Sequence, residues 1–138
     1  MIKASIQASS TLQILLVALA AISLLIGGIG IMNVMLASVM QRTNEVGLRM
    51  AVGATPRAVR VQFLGEAVIL SLAGGVLGVP LSMATSFFIT RLLGWPVSLS
   101  WKAAVLSVAC AGVVGVIAGT YPAWKASRLD PITALRSE

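Results

Sequence analysis

The stretch ILLVALAAISLLIGGIGIMNVMLASVM, residues 14–40, decides the fold of this chain. It carries no charged side chain and no proline, and a helix of about 20 apolar residues already crosses the hydrocarbon core of a bilayer. The uncharged run is wider still, covering 4–41 between Lys3 and Arg42. Two more runs follow, 67–90 between Glu66 and Arg91 and 103–124 between Lys102 and Lys125. Of the 138 residues, 58% are hydrophobic and 10% charged, where a soluble domain has about a quarter charged. A soluble fold this small leaves too much of its surface in water to hide so much apolar area. The pattern predicts an all-α integral membrane protein with three transmembrane helices.

Their boundaries follow from the punctuation. The first span is 14–40. No proline precedes Pro56, so one helix can run from about Ala8 to Gln41; at about 1.5 Å per residue it measures about 50 Å, against ~30 Å of hydrocarbon. The surplus falls on residues 1–13, where Ser5, Gln7, Ser9, Ser10, Thr11 and Gln13 interleave with Ile2, Ile6 and Leu12. That composition suits the start of a protruding stalk, and suits a disordered leader as well. The second span is 67–90, with Pro80 expected to kink it. A loop follows over 91–102, where Trp95 and Trp101 match the aromatic belt of a membrane interface. The third span is 103–120. Its exit is marked by Tyr121, Pro122 and Trp124, and in the tail 121–138 Asp130 is placed to cap a last short helix over Ile132–Arg136.

The connection 41–66 is the polar part of the chain. Glu45 and Arg49 stand four residues apart in TNEVGLRMAVG (43–53), which reads as a short helix with a carboxylate in its first turn and Gly53 as terminator. Thr55-Pro56 then restarts a helix, Thr55 as N-cap and Pro56 in the first turn. Seven of the ten Lys and Arg lie in 41–66 and the tail; Lys3, Arg91 and Lys102 lie on the other side. The positive-inside rule therefore puts 41–66 and the C-terminus in the cytoplasm and the N-terminus outside. An outside N-terminus behind one lysine and no signal peptide predicts further chain upstream.

Several classes drop out. The chain has no histidine and one cysteine, Cys110, so neither a Cys/His metal site nor a disulfide framework is expected. Basic residues flank apolar segments rather than sharing a soluble face, so no nucleic-acid partner is expected. There is no phosphate-binding loop, and no serine or cysteine has a histidine to activate it. The chain is not read as an enzyme, binds no cofactor directly, and must draw any energy from a partner.

Small residues recur within the spans: Gly27, Gly28 and Gly30 in the first, Gly74, Gly75 and Gly78 in the second, Ala111, Gly115 and Gly119 in the third. Such spacing lets helix backbones approach closely in lipid. Gly27, Gly30, Gly74, Gly78, Gly115 and Gly119 are the candidate packing positions, beside the ordinary abundance of glycine in membrane helices. Asn33 is placed to hydrogen-bond another helix. Glu66 reads as an interfacial anchor or a polar helix contact, or alternatively as the proton-coupling carboxylate of a small multimeric secondary transporter.

The runs IGIMNVM (29–35) and RTNEVGLRMAVGA (42–54) closely resemble the FtsX-like permease domain of ABC transporters, most of all its MacB-type branch. QFLGEA (62–67), the glycines at 74, 75 and 78, and YPAWKASRLDPITALR (121–136) agree in the same order. The resemblance implies a bacterial inner-membrane permease whose last three helices match this chain, residues 1–13 resembling a periplasmic stalk start. It implies that Asn44–Gly53 is a cytoplasmic coupling helix, with Glu45, Gly47, Leu48, Arg49, Met50 and Gly53 contacting an ABC ATPase domain or subunit that binds ATP and Mg. It further implies a second permease copy, and a periplasmic adaptor with an outer-membrane channel. Substrates in such families include macrolides, peptides and lipoproteins, and some members transmit force without moving a solute. The family's first helix, extracytoplasmic domain and ATPase have no counterpart here, so the chain alone is not expected to transport; a truncated fragment or a non-transporting scaffold is the bland alternative. Trp124 stands where such permeases often carry a basic residue.

Overall fold

The computed structural model describes residues 2–94 and 100–130, with side chains from Ile6 onward. It contains helices α1 (Ile2–Gln41), α2 (Thr43–Ala51), α3 (Pro56–Leu93) and α4 (Trp101–Ala126). Among the described residues α1, α3 and α4 are long and apolar enough to cross a membrane. Trp95 and the short helix expected over Ile132–Arg136 lie outside the described residues.

The helix junctions follow from local chemistry. At Arg42 the backbone leaves the helical region (φ −102°, ψ 14°), and α2 starts one residue later. No side chain caps α2 at Arg42. Instead the Thr43 hydroxyl donates back to the carbonyls of Val39 (3.0 Å) and Met40 (2.9 Å) in the last turn of α1. The other end of α2 closes with a pair of reversed bonds, Gly53 N–H to the Met50 carbonyl and Ala54 N–H to the Arg49 carbonyl. That closure needs a left-handed residue, and Gly53 supplies it with φ 109°. Thr55 caps α3, its side chain accepting from Ala58 N–H at 3.3 Å, with Pro56 in the first turn. Helix α3 passes through Pro80 without interruption. Helix α4 likewise continues through Pro122 to Ala126, six residues beyond the expected end of its span at residue 120. Pro122 is fully buried there, so its ring fills space between helices while the lost bond costs one backbone link.

Helices α3 and α4 run antiparallel and form the main contact. Glycine decides how close they come. A Cβ at Gly119 would stand 2.5 Å from Ala67 Cβ, and one at Gly115 2.6 Å from Ser71 Cβ. One turn along, the Ser71 hydroxyl donates to the Ala111 carbonyl, and Gly75 faces Val108 and Ala111. Helix α1 crosses α4 at Gly28, where a Cβ would lie 3.1 Å from Val114.

The core gathers at the α2 end. Met35 and Val39 of α1, Val46 of α2, Val59, Phe63 and Ala67 of α3, and Ala123 and Ala126 of α4 are all buried. Toward the other end, most large apolar side chains point outward, Leu25, Leu77 and Leu106 among them, as expected for surfaces that face lipid.

Steric room at the α3–α4 contact can be measured. Gly119→Leu should cost about 1–3 kcal/mol, the usual penalty of overpacking. Gly74→Leu, at a position with open space beside it, should stay within about 0.5 kcal/mol, typical of a surface change. Reversible unfolding in mixed detergent micelles separates the two.

Candidate functional site

Helix α2 is the one described helix too short to cross a membrane, and its two faces differ. Val46 and Gly47 are buried, and Met50 packs on the same core. Glu45, Leu48 and Arg49 are exposed. So is Val52, at 80% just past the helix end, four residues on from Leu48 at 55%. The exposed face therefore carries an ion pair beside two aliphatic side chains. Val52 was not singled out in the sequence, although its i,i+4 spacing from Leu48 is legible there.

Polar links tie this helix to its neighbours. Arg49 is central to them. One guanidinium nitrogen meets the Glu45 carboxylate at 2.6 Å, and the other donates to Gln62 Oε1 on α3 at 3.2 Å. Arg42, at the bend between α1 and α2, pairs with Glu66 on α3 at 3.6 Å. Glu66 thus stands opposite a guanidinium at the end of its span, with 35% of its side chain exposed. On the far side of α3, Arg60 donates to the Ser127 hydroxyl at 3.4 Å, just past the end of α4. The α2 end of α3 is bonded in turn to the α1–α2 bend, to α2 and to the exit of α4.

The candidate packing glycines divide into two sets. Gly115 and Gly119 lie in the α3–α4 contact. Among the described residues, nothing beyond their own helix backbone lies within 4 Å of a Cβ position at Gly27, Gly30, Gly74 or Gly78; their neighbours Gly28 and Gly75 make the intrachain contacts. Gly27, Gly74 and Gly78 instead line an open groove of about 540 Å³ between α1, α3 and α4, with Ser23, Ser82 and Ser107. Asn33 is exposed on α1.

A family profile described as FtsX-like permease C-terminal matches residues 17–131. The match takes in most of the first candidate span, all of the other two, and α2. The chain belongs to the FtsX-like permease family. Among curated relatives it is 49% identical over 130 residues to the macrolide export ATP-binding/permease protein MacB of Bdellovibrio bacteriovorus, covering 94% of this chain and 20% of that protein. Against the protein of the same name in Photorhabdus laumondii it is 48% identical over 139 residues, covering all of this chain and 22% of the relative. The Syntrophobacter fumaroxidans protein so named shares 53% over 124 residues, 90% of this chain and 17% of the relative. The FtsX-like segment described here thus spans about a fifth of the length of these MacB proteins.

Magnitudes separate what holds α2 from what orients it. Exposed ion pairs contribute about 0.2–1 kcal/mol, whereas truncating a buried phenylalanine costs about 3–5 kcal/mol. Phe63→Ala should therefore destabilise the bundle by at least about 3 kcal/mol, while Arg49→Ala should stay near or below about 1 kcal/mol. A double-mutant cycle of Arg42→Gln with Glu66→Gln should return a coupling within about 0.2–1 kcal/mol. All three come from unfolding curves in micelles.

Proposed function

We propose that this chain is the C-terminal transmembrane part of a MacB-type ABC permease, and that α2 is the element on which a partner ATPase pushes. The observation that carries this reading is the two-faced α2: anchored by Val46, Gly47 and Met50, linked to α3 through Arg49 and Gln62, and exposing Glu45, Leu48, Arg49 and Val52. A short helix held this way moves with α3 when pushed. A helix lacking that anchorage would shift on its own and transmit nothing. Glu45, Leu48, Arg49 and Gly53 then meet the ATPase, with Val52 added to the set, while Gly47 and Met50 hold the helix to the bundle.

On this reading α2 and the C-terminus are cytoplasmic, the membrane is a bacterial inner membrane, and the N-terminal part of α1 rises on the far side as the start of a stalk. The whole protein works with a second permease copy and, through an adaptor, an outer-membrane channel. Gly27, Gly30, Gly74 and Gly78, which no other described helix approaches within 4 Å of a Cβ position, are left for a helix supplied from elsewhere in that assembly. ATP and Mg belong to the ATPase, and this segment itself catalyses nothing. The names of the relatives make a macrolide the first substrate to try, and export rather than force transmission the first readout. The rival, a proton-coupled transporter built on Glu66, has no second observation behind it, since Glu66 stands beside Arg42 at a helix junction.

In the full-length protein carrying this segment, Arg49→Glu should reduce ATP-dependent macrolide export at least tenfold, which is about 1.4 kcal/mol of coupling. Glu66→Gln keeps a hydrogen-bond acceptor opposite Arg42 and should cost no more than about threefold, about 0.7 kcal/mol. Full export by the Arg49 variant would contradict the role of α2; loss of all export in the Glu66 variant would favour the proton-coupled reading.

A further inference from the structure

A second feature of the α2 end lies between α3 and α4. There α3 and α4 leave a groove of about 360 Å³ lined by Arg60, Leu64, Ile117, Thr120, Tyr121, Ala123 and Trp124. Leu64 and Ile117 give it an aliphatic stretch, and Arg60, Tyr121 and Trp124 an aromatic and cationic one, which forms its mouth. From Ile117 to Trp124 it extends about 10 Å along α4, at about 1.5 Å per residue. Tyr121 and Trp124 are the side chains that settle at headgroup level in a bilayer, so the mouth sits at the interface and the aliphatic part among acyl chains.

Charge is arranged unevenly around α3. On the α1 side Arg42 is matched by Glu66. Among the described residues, the lining on the groove side holds one charged residue, Arg60, and no carboxylate. Arg60 is positioned rather than left loose. Its guanidinium donates to the Ser127 hydroxyl, which is buried and itself donates to the Trp124 carbonyl at 2.8 Å. Ser127 takes one of the five guanidinium N–H groups, and a planar fork of this kind matches a phosphate. Beside the mouth, Arg128 lies over the Trp124 ring at 4.2 Å from its centroid, adding a second positive charge at the same level.

We propose that this groove binds an anionic glycerophospholipid, its phosphate held by Arg60 at the mouth and one acyl chain lying along Leu64 and Ile117. The groove is too small to seat a helix, and a helix would need to bring a carboxylate to Arg60. A zwitterionic lipid carries its own cation beside the phosphate, which Arg60 and Arg128 repel; an anionic one does not. The bound lipid bridges α3 and the exit of α4 on the outside of the contact that Gly115 and Gly119 form within.

The test is native mass spectrometry of the full chain in detergent micelles. The ligands are phosphatidylglycerol and phosphatidylcholine with the same acyl chains, with inorganic phosphate as competitor. The expected result is at least tenfold tighter binding of phosphatidylglycerol. That preference should fall to near unity in Arg60→Gln, and binding of both lipids should weaken in Ile117→Trp, which fills the groove from an exposed position. Arg91→Gln, near the opposite end of α3, should behave as wild type. Equal binding of the two lipids by wild type would overturn the proposal. So would a preference that survives Arg60→Gln and Ile117→Trp, or displacement of the lipid by millimolar inorganic phosphate, which would mark a free-anion site.

Discussion

Gly115 and Gly119 give α4 a surface without side chains, and Ala67 and Ser71 of α3 lie in that space. In lipid there is no hydrophobic drive to bring two helices together, so close van der Waals contact and an interhelical hydrogen bond must do it. The Ser71 hydroxyl on the Ala111 carbonyl supplies that bond. The register it fixes determines what happens one and two turns toward α2. Phe63 falls among Met35, Val39 and Val46, Arg60 reaches Ser127, and Gln62 faces Arg49. A shift of α3 along α4 by one residue would turn these side chains by about 100° and undo all three.

The same register explains why the molecule is tight at one end and open at the other. At the α2 end, four helices contribute to one core, and polar links surround it. Toward the far end, α1 touches α4 at Gly28 and leaves a groove against α3. A push on α2 would therefore be received by the rigid end, while the open end has room to change its packing. The two faces of α3 near α2 take different roles. The α1 side holds paired charges, and the α4 side holds a groove whose described lining carries Arg60 as its one charged residue.

Much of the fold was legible in the sequence, because charge-free runs and proline positions are one-dimensional signals. The three spans and the Thr55-Pro56 restart are of this kind. Other features were not, for physical reasons. Which glycine of an adjacent pair meets a neighbour depends on helix phase, and phase is set by the crossing. So Gly28 and Gly75 make contacts while Gly27 and Gly74 face open space. Pro122 read as the end of a span, yet α4 runs through it because the ring is packed on all sides. Arg49 was recognisable as a partner of Glu45, but its bond to Gln62 joins positions thirteen residues apart across a turn, and no local periodicity encodes that. The family, by contrast, was readable from ordered residue strings, which the profile match over 17–131 bears out.

The central claim is that α2 belongs to the rigid end of the bundle and moves with α3. Amide hydrogen exchange in lipid nanodiscs tests it most directly, since exchange follows local opening. Amides from Val46 to Ala51 should exchange at least about a hundredfold slower than unstructured ones, an opening cost of about 2.7 kcal/mol or more. Phe63→Ala should then release α2 and the first turns of α3 together. Exchange of α2 close to the unstructured rate, with α3 still protected, would mean that α2 is a loosely attached surface helix and cannot transmit a push.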